Sequence, residues 1–186
     1  MENKEWNYGA KNEEGAIIMC EKLDIYDENK IKTGKIIERK EEVVIEKNEF
    51  VLAVQCWIIN TKKEILLTQR KLEKKYGGMW EVTSGLVKSG ENSIQGIKRE
   101  LREEIGIEIE DKELKLLKTV KGEKTIRDIY IINKEIAIES IKFNDGEVIN
   151  AKYVTIEEFK KMLEDGQVFE WLRWFLDDYY KIIKEE

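Results

Sequence analysis

The stretch GLVKSGENSIQGIKRELREEIGI, residues 85–107, decides how the chain is read. From Ser93 to Ile105 its apolar residues recur at helical spacing. At roughly 100° per residue, Ile94, Ile97, Leu101 and Ile105 share one stripe, which predicts a helix with that stripe against the core. Glu100, Glu103 and Glu104 fall on a different side at spacings i, i+3 and i+4, so their carboxylates are neighbours. Like charges so spaced oppose a helix by about a few tenths of a kcal/mol each, an effect that Lys98, Arg99 and Arg102 partly offset. Taken alone, the three glutamates read better as a solvated helix face, because 39% of the chain is charged. Their surroundings shift that reading. Three convergent carboxylates make a hard oxygen site suited to Mg²⁺ or Mn²⁺ rather than zinc. Gly85 and Gly90 in the preceding loop let backbone approach a metal or ligand closely. Glu91 lies near the helix start, where negative charge is favoured, and Gly106 is placed to end the helix as a left-handed cap.

Working outward, Phe50–Ile59 (FVLAVQCWII) and residues 64–69 (EILLTQ) are continuous apolar runs separated by a polar turn. Runs of this length suit strands buried on both faces. A charged loop ending in Gly77-Gly78 follows, then a short strand at residues 80–82 and a loop at 83–90. Beyond the helix, strands are predicted at residues 114–120, Thr125–Asn133, 137–141 and 152–154. Thr155 and Glu158 form a capping-box pattern that opens another helix, which Gly166 should stop. Residues 169–184 are amphipathic and aromatic-rich and read as one packed terminal helix. Upstream, residues 17–45 read as short strands with a hairpin, and 35–49 as a solvated strand and loop. We therefore expect a polar lead-in (1–20), a strand extension (21–49) and a main domain (50–186). The fold class is α/β (α+β), a sandwich of helices on a mixed central sheet.

Composition bounds the function. The 186 residues carry 33 basic against 39 acidic side chains, a net charge of −6, which leaves no basic footprint for nucleic acid or an anionic membrane. The absence of histidine removes a Ser-His-Asp triad, histidine general-base chemistry and His-ligated zinc together. Cys20 and Cys56 have no metal-ligand spacing and read as core fillers rather than a disulfide. The polar N-terminus resembles no signal peptide and no stretch reaches membrane-span length, so a cytoplasmic protein is expected.

Residues 85–107 resemble the Nudix box: glycine, five residues, glutamate, seven residues, Arg-Glu, an aliphatic, any residue, Glu-Glu, any residue, glycine and an aliphatic. Gly85, Glu91, Arg99, Glu100, Leu101, Glu103, Glu104, Gly106 and Ile107 fill every specified position. The flanks agree: an apolar strand, a second strand ending in Gln69-Arg70, and Trp80 before the loop. Two departures are small. Ser84 stands where glycine is common, and Gly96 where alanine is usual. Gly96 should cost the helix about 1 kcal/mol relative to alanine, with close packing against the sheet as the expected compensation.

The resemblance implies a Nudix fold and a hydrolase that cleaves a diphosphate linkage in a small organic substrate with Mg²⁺ or Mn²⁺. It implies that Glu100, Glu103 and Glu104 bind the metal, with the Ser84 carbonyl completing the shell. Arg99 and Glu91 would form a supporting ion pair. Glu147, six residues before Tyr153, fits the place of a further ligand or general base, and reads equally as an ordinary turn carboxylate. Glu100 is the other candidate base. Tyr26, Tyr76 and Arg70 are candidates for substrate contact, whereas Trp57 and Trp80 read better as core. A homodimer remains open.

Residues 23–34 and 56–60 also resemble the branch related to isopentenyl diphosphate isomerase. That enzyme needs a catalytic cysteine and a histidine-rich metal site in the loop after the equivalent of Trp80. Here the loop reads Glu81-Val82-Thr83-Ser84-Gly85, with neither residue type, so the hydrolase reading is preferred. A Nudix domain that senses a nucleotide without cleaving it is the second alternative, which loss of box glutamates would have favoured. None is lost.

Overall fold

The computed structural model describes residues 10–11, 17–18, 21–39, 45–144 and 146–184. Most of the lead-in, Cys20 and part of the charged 35–49 segment lie outside the described residues. Strands β1 (Ala10–Lys11) and β2 (Ile17–Ile18) pair with each other. A nine-stranded mixed sheet then collects β3 (Lys22–Tyr26), β4 (Lys32–Glu38), β5 (Phe50–Ile59), β6 (Ile65–Arg70), β7 (Trp80–Glu81), β8 (Ser84–Leu86), β9 (Lys115–Lys121), β10 (Thr125–Asn133) and β11 (Val148–Val154). Helix α1 (Ser93–Ile105) covers one face, and α2 (Ile156–Glu164) with α3 (Trp174–Ile182) covers the other.

Strand β5 is the spine, buried along its whole length. Its alternation divides the core, since successive side chains point to opposite faces. Leu52, Val54, Cys56 and Ile58 pack with Ile97, Leu101 and Ile105 of α1. Trp57 and Ile59 pack with Phe159 of α2 and Phe175 of α3, the Trp57 ring stacking on Phe175 at 3.5 Å between centroids. Each fully buried Ile or Leu of α1 contributes roughly 1.5–3 kcal/mol. One edge of β5 pairs in parallel with β10 from Thr125↔Val51 to Asn133↔Ile59. Along the other edge, β6 joins only at Ile59↔Ile65 and then diverges. The wedge so opened is filled by β7 on β6 and β8 on β5, and this brings the loop before α1 into the sheet.

The N-terminal hairpin β3–β4 is part of the same sheet, because Ile25 and Tyr26 pair with Val51 and Phe50. Lys30 and Thr119 satisfy the buried Asp128 at 2.6 and 2.7 Å, tying the hairpin turn to β10. Three local expectations are corrected. Residues 84–86, read as loop, form β8, because β5 supplies their partner. Residues 137–141, read as a strand, hold a 3-10 turn at Ile138–Ser140, whose Ile138 and Ile141 both reach the core at a turn's three-residue spacing. The terminal helix is not continuous over 169–184: a 3-10 turn at Glu170–Leu172 precedes α3, which lets Trp171 stand half-exposed while Leu172 and Phe175 are buried. Among the described residues no helix is long and apolar enough to cross a membrane.

A Cβ added at Gly96 would stand 2.9 Å from Val87 Cγ2. Gly96→Ala therefore sets a helix-propensity gain of about 1 kcal/mol against an overpacking cost of about 1–3 kcal/mol. We expect net destabilisation in denaturant titration, reversed when Val87→Ala is added to make room.

Candidate active site

The loop that enters α1 is held from three sides. Asn92 caps the helix and Gln95 returns the bond, a reciprocal pair that satisfies two otherwise orphaned backbone donors. Asp24 of β3 accepts from Ser89 Oγ at 2.7 Å and Gly90 N at 3.1 Å, and pairs with Lys32 at 2.6 Å. Glu91 accepts from Lys88 N at 2.9 Å. Gly90 has φ +90°, a left-handed conformation that L side chains rarely adopt.

Arg99 is the hub. Its Nε and Nη2 bond Glu91 at 2.8 and 3.1 Å, and Nη2 also reaches the Leu86 carbonyl at 2.8 Å. Its Nη1 lies 2.7 Å from Glu100 Oε1 and 2.9 Å from Glu103 Oε2. One guanidinium, 8% exposed, thus gathers three carboxylates and fixes Glu100 and Glu103 about one point. Lys88 adds a second cation, 3.6 Å from Glu103 and 2.9 Å from Glu21. Glu104, also on α1, is buried. Among the described residues no three acidic side chains already form a cation cage; the Arg99 nitrogen occupies the position between Glu100 and Glu103.

Gly85 makes the close approach possible. A Cβ there would lie 2.1 Å from Glu100 Oε1, so the backbone of β8 rests against the carboxylate. Burial pushes the Glu100 carboxyl up to about 7, opposed by Arg99 and reinforced by the charges of Glu103 and Glu21. Although burial also acts to raise Glu91, hydrogen bonds from Arg99 and the Lys88 backbone hold it below the usual carboxylate range. The donor set fits a hard divalent cation. It is all oxygen, it converges where positive charge already sits, and its cradle is one that a side chain at position 85 would fill. Ser84 pairs with Gln55, while Cys56 N donates to the Thr83 carbonyl at 2.9 Å. Strand alternation therefore turns the Ser84 carbonyl away from β5.

The remaining candidates have partners outside the Arg99 cluster, except Tyr26, which shares a hollow with Glu91. Glu147, just before β11, forms an ion pair with Lys74, and its carbonyl accepts from Lys71 N at 2.8 Å. Its charge acts on Glu81. Arg70, ending β6, bonds Glu81 at 2.7 Å, and Tyr76 meets Phe169 edge-on at 5.6 Å. Tyr26 is buried, beside a hollow of about 460 Å³ lined by Lys30, Lys32, Asn92 and Gln95. Trp57 is core and Trp80 is partly buried under Lys152. Sequence reasoning missed three residues here: Asp24, Glu21 and Glu81. Glu81 carried a signal, an acid between Trp80 and Val82 in a segment otherwise bound for the core. Burial raises its carboxyl against the pull of Arg70.

The family model described as NUDIX domain matches residues 49–175. An uncharacterised Nudix hydrolase of Clostridium acetobutylicum is 32% identical over 156 residues, spanning 77% of this chain and 74% of that protein. Another, of Listeria monocytogenes, is 28% identical over 149 residues, spanning 79% and 87% respectively. A solved structure from Deinococcus radiodurans superposes with a TM-score of 0.66 at 21% identity, over 79% of this chain and 91% of that one. At that identity the structural likeness shows the fold.

Proposed function

This chain belongs to the Nudix hydrolase family, and from that premise we propose that it cleaves the diphosphate linkage of a small organic substrate, a nucleoside diphosphate derivative first among them, with Mg²⁺ or Mn²⁺. The observation that carries the reading is the Glu91–Arg99–Glu100–Glu103 cluster set against the Gly85 backbone. Glu100, Glu103, Glu104 and the Ser84 carbonyl would hold the cation. Bound there, a divalent cation supplies positive charge opposite the phosphate oxygens and makes water a stronger acid. Arg99 orients the carboxylates, and Glu91 anchors Arg99 to the loop. The water oxygen bonds to phosphorus, the anhydride P–O bond breaks, and the water's proton passes to a carboxylate. We assign that acceptor to Glu100, which Gly85 and Arg99 fix in place, rather than to Glu147, which pairs with Lys74. The products are a monophosphate and a second phosphorylated fragment or inorganic phosphate.

The test is product release from a panel of nucleoside diphosphate derivatives and other organic diphosphates. Turnover is expected with Mg²⁺ or Mn²⁺, its loss on chelation, and its return on adding the cation back. Cleavage that persists in excess chelator contradicts the reading. Glu147→Gln separates the two bases: with Glu100 as acceptor it retains kcat within a few-fold, whereas a collapse comparable to that of Glu100→Gln would transfer the role.

A further inference from the structure

On the face of the sheet opposite α1 lies a cavity of about 350 Å³, bounded by Gln55, Lys118, Thr125, Arg127, Trp171 and Trp174. Small-molecule sites fall in this size range, roughly 300–1,000 Å³. Gln55 is 0% exposed, and neither its Oε1 nor its Nε2 has a hydrogen-bond partner among the described residues. Buried amides are nearly always paired, and leaving both ends bare opposes folding. Arg127 lays its guanidinium 4.5 Å from the Trp171 ring centroid and joins no ion pair among the described residues. Trp171 is 42% exposed and leads through Phe169, at 6.0 Å, to Tyr76, so aromatic faces run from the cavity toward solvent.

The cavity adjoins the catalytic loop through backbone. Gln55 shares a rung with Ser84, one residue from the Gly85 backbone that abuts Glu100. Resting on the hydrolase reading above, we infer that Gln55 determines specificity: its carboxamide reads the edge of a nucleobase carried by the diphosphate substrate and packed against Trp171. A carboxamide presents a donor and an acceptor side by side, which matches the paired groups on a base edge. An indole face supplies stacking to a planar ring. An aliphatic diphosphate would leave the amide bare and gain nothing from it.

The test uses AMP, GMP, CMP and UMP as probes, with binding read as quenching of tryptophan fluorescence in the absence of divalent cation. Wild type is expected to bind at least one of them, and Gln55→Leu to weaken that binding by roughly 5- to 150-fold, the range of a bidentate base contact. Gln55→Leu should also raise KM for the matching nucleoside diphosphate derivative by a larger factor than KM for an alkyl diphosphate. Its unfolding midpoint should equal or exceed wild type, since a bare buried amide is removed. Equal nucleotide binding by wild type and Gln55→Leu overturns the inference, as does binding of none of the four probes. Binding that depends on Gln55 without cleavage of any diphosphate would sustain this site and sink the hydrolase reading instead.

Discussion

Replacing Glu100 by glutamine is expected to lower kcat by roughly 10²- to 10⁴-fold, the range for losing a positioned proton acceptor. The substitution keeps shape and the hydrogen bond from Arg99 Nη1, but removes the negative charge that Arg99 balances. Two effects on stability oppose each other. The buried carboxylate no longer has to be desolvated, and its attraction to Arg99 is lost. The unfolding midpoint should therefore move little while turnover falls, which separates a chemical role from a structural one. Glu103→Gln and Glu104→Gln should likewise abolish turnover in a folded protein. Full activity in either would refute the assignment of the carboxylate site. Glu110→Gln, an exposed acid away from the cluster, is the control expected to leave kcat unchanged.

Gly85→Ala should be nearly as damaging by a different route. Gly85 has no positive φ, so alanine meets no backbone penalty there. Its methyl group, however, would stand 2.1 Å from Glu100 Oε1 and 2.2 Å from Glu100 Cδ. Something must shift, and the carboxylate is the movable partner, because β8 is locked to β5 at Val54↔Gly85. A displacement near 1 Å at a reacting group costs about 10²-fold in rate. We expect kcat to fall by about that factor, with KM changed far less. Normal turnover by Gly85→Ala would mean that the position of Glu100 against the loop does not matter.

These two expectations show what the sequence made legible. The spacing of Glu100 and Glu103 implied neighbouring carboxylates, because i, i+3 geometry is local to one helix, and Arg99 bonds both, whereas Glu104 is buried on the same helix. Phe50–Ile59, Ser93–Ile105 and Thr125–Asn133 stand where patterning put them, the strands as mainly apolar runs in the middle of the sheet and the helix by its apolar stripe. Features made through space left weaker traces. Strand β8 is three half-buried residues whose strand character comes from β5. The 3-10 turn at Ile138–Ser140 imitates a strand because isoleucines two and three residues apart suit either form. The pinning of the loop by Asp24 joins residues 65 and 66 positions apart. Gln55 sits in an apolar run where a lone amide reads as an interruption, and its cavity is lined by residues from β9, β10, the 3-10 turn before α3 and the first residue of α3.

The central claim is that the α1 carboxylates hold the cation that hydrolysis requires. Titration of Mn²⁺ into wild type and into the Glu100→Gln/Glu103→Gln double variant, followed by electron paramagnetic resonance of the free ion, tests it most directly. Saturable binding by wild type, lost in the double variant, is the predicted outcome. Equal binding by the two proteins would place the cation elsewhere and remove these residues from its coordination.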